Sequence, residues 1–172
     1  MVSDPVETID LDALGLTVGE GRRLEPVVAL APLEFGGERY VPEPEHCPLR
    51  LDVSRINGDG WALHMAFTAT LRGRCMRCLE PAGRELAIDS REVEQRSADA
   101  GVESPYVAEG ELAVGAWARD ALALAVPAQV LCREGCLGLC PRCGENLNED
   151  PAHEHPPDKD PRWSKLDELR FD

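Results

Sequence analysis

The chain has 172 residues, 43% hydrophobic, 29% charged and only 5% aromatic, which is ordinary globular composition with enough length to bury a core. Thirty-two acidic residues face 18 basic ones, a net charge of −14. That balance excludes a protein that coats nucleic acid over its whole surface, because phosphate contact needs Lys and Arg in excess.

Along the chain, Ile9, Leu11, Leu14 and Leu16 suggest a short strand or helical turn that docks on a core. Val27, Val28, Leu30 and Leu33 read as a strand broken by Pro32, and Gly36-Gly37 as a turn. Val41 to Pro48 contains three prolines, which predicts a loop or sheet edge. Leu49, Leu51, Val53 and Ile56 precede Asn57-Gly58, and Trp61, Leu63, Met65, Phe67 and Ala69 follow it. Period-two alternation on both sides of an Asn-Gly turn predicts a β-hairpin. Its second strand delivers the chain to Cys75, and Leu86, Ile88 and Val93 suggest a return strand after Cys78. The two cysteines then sit at a hairpin tip, the geometry of a zinc knuckle. Residues 97–110 read as a polar loop. Glu111 to Ala125 reads as a helix with Leu112, Trp117, Ala121 and Leu124 near one face, stopped by Pro127. Trp61 and Trp117 are expected in the core. His64 is expected to be a surface or satisfied sheet residue, and His46 and Cys47 structural ones.

After Val130 the character changes. Residues 131–172 hold four Cys, two His, five Pro and little apolar material, so something other than a hydrophobic core must order them. The expected organisation is an α+β domain over 1–130 and a Cys/His module with a tail over 131–172. No apolar run reaches the length of a membrane span. The acidic start, Met1-Val2-Ser3-Asp4-Pro5, carries no signal core, so the expected location is the cytoplasm. Seven cysteines, mostly crowded into short motifs, then point to metal or redox chemistry rather than disulfides.

Those motifs are Cys75-Met76-Arg77-Cys78, Cys132-Arg133-Glu134-Gly135-Cys136 and Cys140-Pro141-Arg142-Cys143, followed by His153-Glu154-His155. They supply eight candidate ligands, enough for two four-coordinate zinc sites. One arrangement joins Cys140 and Cys143 with His153 and His155, and Cys75 and Cys78 with Cys132 and Cys136. The other joins Cys75, Cys78, Cys140 and Cys143. Arg72, Arg74, Arg77, Arg133 and Arg142 lie beside the cysteines and offset thiolate charge. Motifs for a catalytic constellation are missing: the chain has no HExxH, GxSxG, P-loop or dinucleotide turn. Full ligand sets leave no open metal position, so the expectation is a protein that is not an enzyme. Residues 72–84 carry four arginines against one glutamate, a local +3, whereas residues 144–172 carry nine acids against four bases, a local −5. Arg72, Arg74 and Arg77 are therefore the expected RNA contacts, and the acidic tail could meet a basic ribosomal protein.

Three further strings carry a resemblance. They are Cys75-Met76-Arg77-Cys78-Leu79-Glu80-Pro81, the run from Cys136 through Gly138-Leu139-Cys140-Pro141-Arg142-Cys143-Gly144 to Asn146-Leu147-Asn148, and Asp160-Pro161-Arg162-Trp163 with Leu166 and Leu169. The chain resembles the YceD family, the large ribosomal RNA subunit accumulation proteins, well over residues 45–172 and loosely before them. The resemblance implies a bacterial cytoplasmic factor supporting accumulation or processing of large-subunit (23S) ribosomal RNA, or assembly of that subunit. It also implies ligand roles for His153 and His155, where many members carry CxC. Shorter members keep the first CxRC motif without the later one, which favours Cys75, Cys78, Cys132 and Cys136 as one site.

The reading as a whole is an α+β protein. An antiparallel sheet, open or barrel-like, carries one main helix and a C-terminal zinc-ordered module with two zinc ions. The expected function is non-catalytic ribosome biogenesis by binding to ribosomal RNA or a large-subunit precursor, with no membrane partner. The rivals are a zinc-ribbon adaptor without RNA contact and a zinc- or thiol-dependent enzyme.

Overall fold

The computed structural model describes residues 4–95 and 101–156; the tail segment from Asp160 to Leu169 singled out above lies outside them. The chain divides into two compact units, Met1–Cys136 and Leu137–Asp172. The first unit contains β1 (Ile9–Asp10), a 3-10 turn (Asp12–Leu14), β2 (Gly21–Leu24), β3 (Val27–Ala29), β4 (Leu33–Phe35), β5 (Glu38–Glu43) and β6 (His46–Pro48). It continues with β7 (Arg50–Ile56), β8 (Gly60–Arg74), β9 (Pro81–Glu94), β10 (Val107–Ala108), β11 (Glu111–Leu112) and α1 (Val114–Ala125).

Strand β8 organises the fold. Its inward side chains, Trp61, Leu63, Met65, Phe67, Ala69 and Leu71, alternate with polar or small outward ones, and all six are buried. Along one edge β8 pairs antiparallel with β9, from Trp61 opposite Glu94 to Arg74 opposite Pro81. Along the other edge it pairs first with β7 over Gly60–Ala66 and then with β5 over Thr70–Arg72. β2 extends the sheet beyond β7, and β4 beyond β5. β9 has no second strand partner among the described residues, so the α+β sheet is open and not a closed barrel.

The Asn57-Gly58 hairpin forms where expected, with Gly58 and Asp59 taking positive φ. Val41 to Pro48 takes the sheet-edge alternative of the expectation. It supplies the second half of β5 and all of β6, and β6 pairs with β3. Pro42 and Pro48 are accommodated because a strand whose edge is only partly paired tolerates a missing N–H. The helix begins at Val114 rather than Glu111, because Glu111 and Leu112 pair with both β1 and β10. The ladder satisfies their backbone groups, and Gly110 turns the chain with φ 84° just before. Val126 is extended, as a residue before proline must be.

α1 packs on β9 and β3 through a stripe of Val114, Trp117, Ala118, Ala121 and Leu122. Leu124 falls at the margin of that stripe and is 86% exposed, contrary to the expectation that it faces the core. Trp61 and Trp117 are buried as expected, and Trp117 Nε1 donates to Ser90 Oγ at 3.0 Å. His64 lies across the sheet from the core, with Nε2 2.9 Å from an Asp89 oxygen. Cys47 is buried on β6, and burial pushes its thiol up. None of the described helices is long and apolar enough to cross a membrane.

Tyr40 holds the far end of β8. Its ring is fully buried and its hydroxyl donates to the Arg74 carbonyl at 3.0 Å. The ring lies so close over Gly73 that a Cβ there would overlap its Cδ1 and Cε1 atoms. Glycine is required because an aromatic ring occupies the space of the side chain. Gly73→Ala should therefore destabilise the protein by about 1–3 kcal/mol. Tyr40→Leu in the same chain should recover part of that loss. Urea unfolding midpoints of the two variants check this, and an unchanged midpoint for Gly73→Ala would refute the steric account.

Candidate metal centres

Pairing of Arg74 with Pro81 leaves a six-residue turn, Cys75 to Glu80, at the tip of the β8–β9 hairpin. The Cys75 N–H donates to the Glu80 carbonyl at 2.8 Å, and the Leu79 N–H to the Cys75 carbonyl at 3.0 Å. This closure forces Leu79 into the left-handed region at φ 63°, which costs a leucine roughly 1–2 kcal/mol. The segment after α1 docks against the same turn. The Met76 N–H donates to the Val130 carbonyl at 2.9 Å, and the Val130 N–H reaches Met76 Sδ at 3.4 Å. Val130 is fully buried. The docked segment carries Cys132 and Cys136 up to Cys75 and Cys78.

The four sulfurs lie within 4.8 Å of one another. Cys75 Sγ is 3.7 Å from Cys136 Sγ, and Cys78 Sγ is 3.5 Å from Cys132 Sγ. These separations are far too long for a disulfide. They match the edges of a tetrahedron, about 3.8 Å, set by metal–sulfur bonds of about 2.3 Å. Cys75, Cys78 and Cys136 are buried, and Cys132 is exposed.

The second unit builds the same turn again. Leu139 bridges Asn146, as Arg74 pairs with Pro81. The Cys140 N–H donates to the Glu145 carbonyl at 2.7 Å, and the Gly144 N–H to the Cys140 carbonyl at 2.9 Å. Gly144 takes φ 79° at the position equivalent to Leu79, and here glycine removes the strain. Two asparagines brace the loop. Asn146 Oδ1 accepts from the Asn148 N–H at 3.1 Å, and Asn148 Oδ1 accepts from the Leu137 N–H at 2.9 Å. Cys143 Sγ is 3.2 Å from His153 Nε2 and 3.3 Å from His155 Nε2, and the two imidazole nitrogens are 2.9 Å apart. With Cys140 they form a second group of four ligand atoms within 4.8 Å.

The structure therefore brings together Cys75, Cys78, Cys132 and Cys136 as one group and Cys140, Cys143, His153 and His155 as the other. Cys47 belongs to neither. Each group could hold a metal ion. Of the three arginines expected to meet RNA, all are exposed. Arg72 pairs with Glu43. Arg77 turns back onto its own turn, donating to Gln129 Oε1 at 3.2 Å and to the Cys136 carbonyl at 3.1 Å. The docking roles of Gln129 and Val130 left no signal in the sequence, because neither residue type suggests ligand support. The bracing asparagines lay inside the Asn-Leu-Asn string but gave no sign of their bonds.

The thiols are prepared unequally for a cation. Burial opposes ionisation of Cys75, but the N–H groups of Cys78, Arg77 and Cys132 are directed at its sulfur and bring it down to about 6. Burial pushes Cys78 up to about 12, and the neighbouring cysteine sulfurs add to the rise. In the second group the N–H groups of Cys143 and Arg142 lower Cys140 to about 6. Cys75 and Cys140 thus offer thiolates near neutral pH, and a bound cation draws further protons off its thiol ligands.

A family model described as large ribosomal RNA subunit accumulation protein YceD matches residues 63–170, from β8 through both cysteine turns. Two proteins described only as uncharacterized, from Mycobacterium bovis and Mycobacterium tuberculosis, are each 30% identical over 178 residues. Each alignment covers 98% of this chain and 83% of the relative. An uncharacterized protein of Mycobacterium leprae is 41% identical over 51 residues, 29% of this chain and 23% of its own. No solved structure matches the chain.

Cys75 and Cys140 have depressed folded values, so the stabilisation linked to their thiolates is present above the ordinary thiol value and lost as pH falls through about 6. Metal loading should accordingly hold at neutral pH and decline below about pH 6. The charge-transfer absorbance of the cobalt-substituted chain, followed during acid titration, checks this. A band that persists unchanged to about pH 4 would refute it.

Proposed function

The chain belongs to the YceD family, and we propose that it is a non-catalytic factor supporting accumulation or processing of 23S ribosomal RNA, or assembly of the large ribosomal subunit, through binding. The observation that carries this reading is the family match over residues 63–170, which includes both cysteine turns. In the proposed organisation residues 1–130 are an α+β body and residues 131–172 a metal-ordered module, working in the cytoplasm on ribosomal RNA or a precursor particle.

Both ligand groups fit zinc. Tetrahedral all-sulfur and sulfur–nitrogen sets suit that ion, and four protein ligands per site leave no position for substrate or water. The proposed ligands are Cys75, Cys78, Cys132 and Cys136 for one ion, and Cys140, Cys143, His153 and His155 for the other. Their role is to hold the two cysteine turns rigid. Closed coordination supports a binding protein over a zinc or thiol enzyme.

Elemental analysis of protein purified without chelator should give two zinc ions per chain. Cells lacking the protein should show a lowered ratio of 23S to 16S ribosomal RNA, and the tagged chain should sediment with large-subunit precursors. An unchanged ratio with no co-sedimentation would overturn the function. One zinc or none would overturn the two-site reading.

We further propose Arg72, Arg74 and Arg77 as the RNA contact. They belong to the only stretch with a strong positive excess, and the β8–β9 hairpin presents them at its tip. Arg72→Gln with Arg74→Gln should lower the salt slope of precursor binding by roughly two, about one for each phosphate that an arginine no longer neutralises. Unchanged affinity and slope would exclude the patch and favour an adaptor whose acidic tail meets a basic ribosomal protein.

A further inference from the structure

Both cysteine turns carry arginine at the same position, immediately before the second cysteine, as Cys75-Met76-Arg77-Cys78 and Cys140-Pro141-Arg142-Cys143. In both, the backbone N–H of that arginine is directed at the sulfur of the first cysteine. In both, its guanidinium crosses to a backbone carbonyl on the segment that brings the other two ligands. Arg77 Nη1 donates to the carbonyl of Cys136, itself the last ligand of its group, at 3.1 Å. Arg142 Nη1 donates at 2.6 Å to the carbonyl of Pro156, one residue after the last ligand His155.

We propose that Arg77 and Arg142 are positioning residues, each latching the distal ligand pair of its own site onto the turn that supplies the proximal pair. The proposal rests on the metal reading above. The geometry recurs in two units that differ in ligand type, in the strain at Leu79 or Gly144, and in the elements around them. What they share is the turn, the arginine and the reach to the far segment. The physical reason for arginine is its fork. The charged donor group is planar and always protonated, so it reaches a backbone carbonyl and brings a positive charge to the segment that carries the distal ligands.

The two latches differ in what charge adds. Zinc held by four thiolates leaves a net −2 at the first site, whereas two thiolates and two neutral imidazoles leave the second site neutral. Arg77 therefore acts through both its hydrogen bond and its charge, and Arg142 chiefly through its hydrogen bond. The segments held also differ. Cys132 and Cys136 arrive on a segment already docked by Val130, whereas His153 and His155 precede Pro156 in an exposed run.

The test uses the full chain with zinc and cobalt alone as probes, comparing Arg77→Gln, Arg77→Lys, Arg142→Gln and Arg142→Lys with wild type. Zinc affinity is measured against a chromophoric chelator, and site geometry is read from the ligand-field bands of bound cobalt. Arg77→Gln should weaken the first site by about tenfold or more, the scale of removing a hydrogen bond to a charged group, and shift its cobalt bands. Arg77→Lys should recover part of that affinity because it keeps the charge. Arg142→Gln and Arg142→Lys should weaken the second site to a similar extent as each other. If Arg77→Gln does not fold, its lysine counterpart and the Arg142 pair carry the comparison. Wild-type affinities and cobalt bands in every variant that folds would overturn the latch while leaving the zinc sites intact. Equal weakening of both sites by any one substitution would also overturn it, because a latch acts only on its own site. A wild-type chain that binds neither zinc nor cobalt would overturn the metal reading and the latch together.

Discussion

Four sulfur atoms gathered within 4.8 Å from two distant stretches of chain impose the main constraint on this molecule. Ionised together they repel, and protonated together they are a mostly buried cluster of weak donors. A divalent cation would resolve the conflict, and the proposed structural zinc would supply on the order of 10–16 kcal/mol at neutral pH. That energy would act where apolar burial is scarce. The hairpin tip exposes Met76 and Leu79, and the segment joined to it exposes Cys132. The second unit has even less apolar material, with Cys140 the only cysteine or hydrophobic residue among its described residues that is buried.

The sheet prepares this arrangement before any ion is bound. Fourteen consecutive pairs run between β8 and β9, so the hairpin reaches the cysteine turn as a stiff ribbon. Tyr40 seats its end over Gly73 and accepts no substitute side chain there. α1, anchored by Trp117 on Ser90, fixes where the chain leaves for Cys132. The hydrogen bonds between Met76 and Val130 then close the gap. Sheet and helix thus bear the entropic cost of bringing residues 75 and 136 together, and a cation would meet a largely assembled site.

Much of this was legible in the residues. Asn57-Gly58 between alternating runs located the central hairpin. The crowding of cysteines located the turns, since metal ligands must be spaced to converge. Other features depend on context that local patterns do not carry. Pro42 and Pro48 left a loop and a sheet edge open, and one-sided pairing in β5 and β6 decides for the edge. Leu112 satisfied a helical period, but two partner strands claimed its backbone first. Leu124 met the same period and fell at the edge of the buried stripe. A left-handed leucine at position 79 has no signature, because leucine is a residue that conformation ordinarily rejects. Arginine beside cysteine was readable as charge compensation. The turn of Arg77 back toward Cys136 depends on where a segment some sixty residues later comes to rest.

The free edge that β9 shows among the described residues bears on how the protein behaves in crowded solution. A strand of 14 residues with one partner offers a long row of backbone donors and acceptors, the kind of template on which other chains can nucleate. Pro81 removes a donor at its start, and Arg84, Glu85, Asp89, Arg91 and Glu92 separate the apolar residues along it. A second copy pairing on this edge would have to strip water from these charges before its hydrogen bonds formed. Much of the charge in β9 therefore guards against self-association, so that the rigid ribbon presenting the cysteine turn does not become the seed of an aggregate.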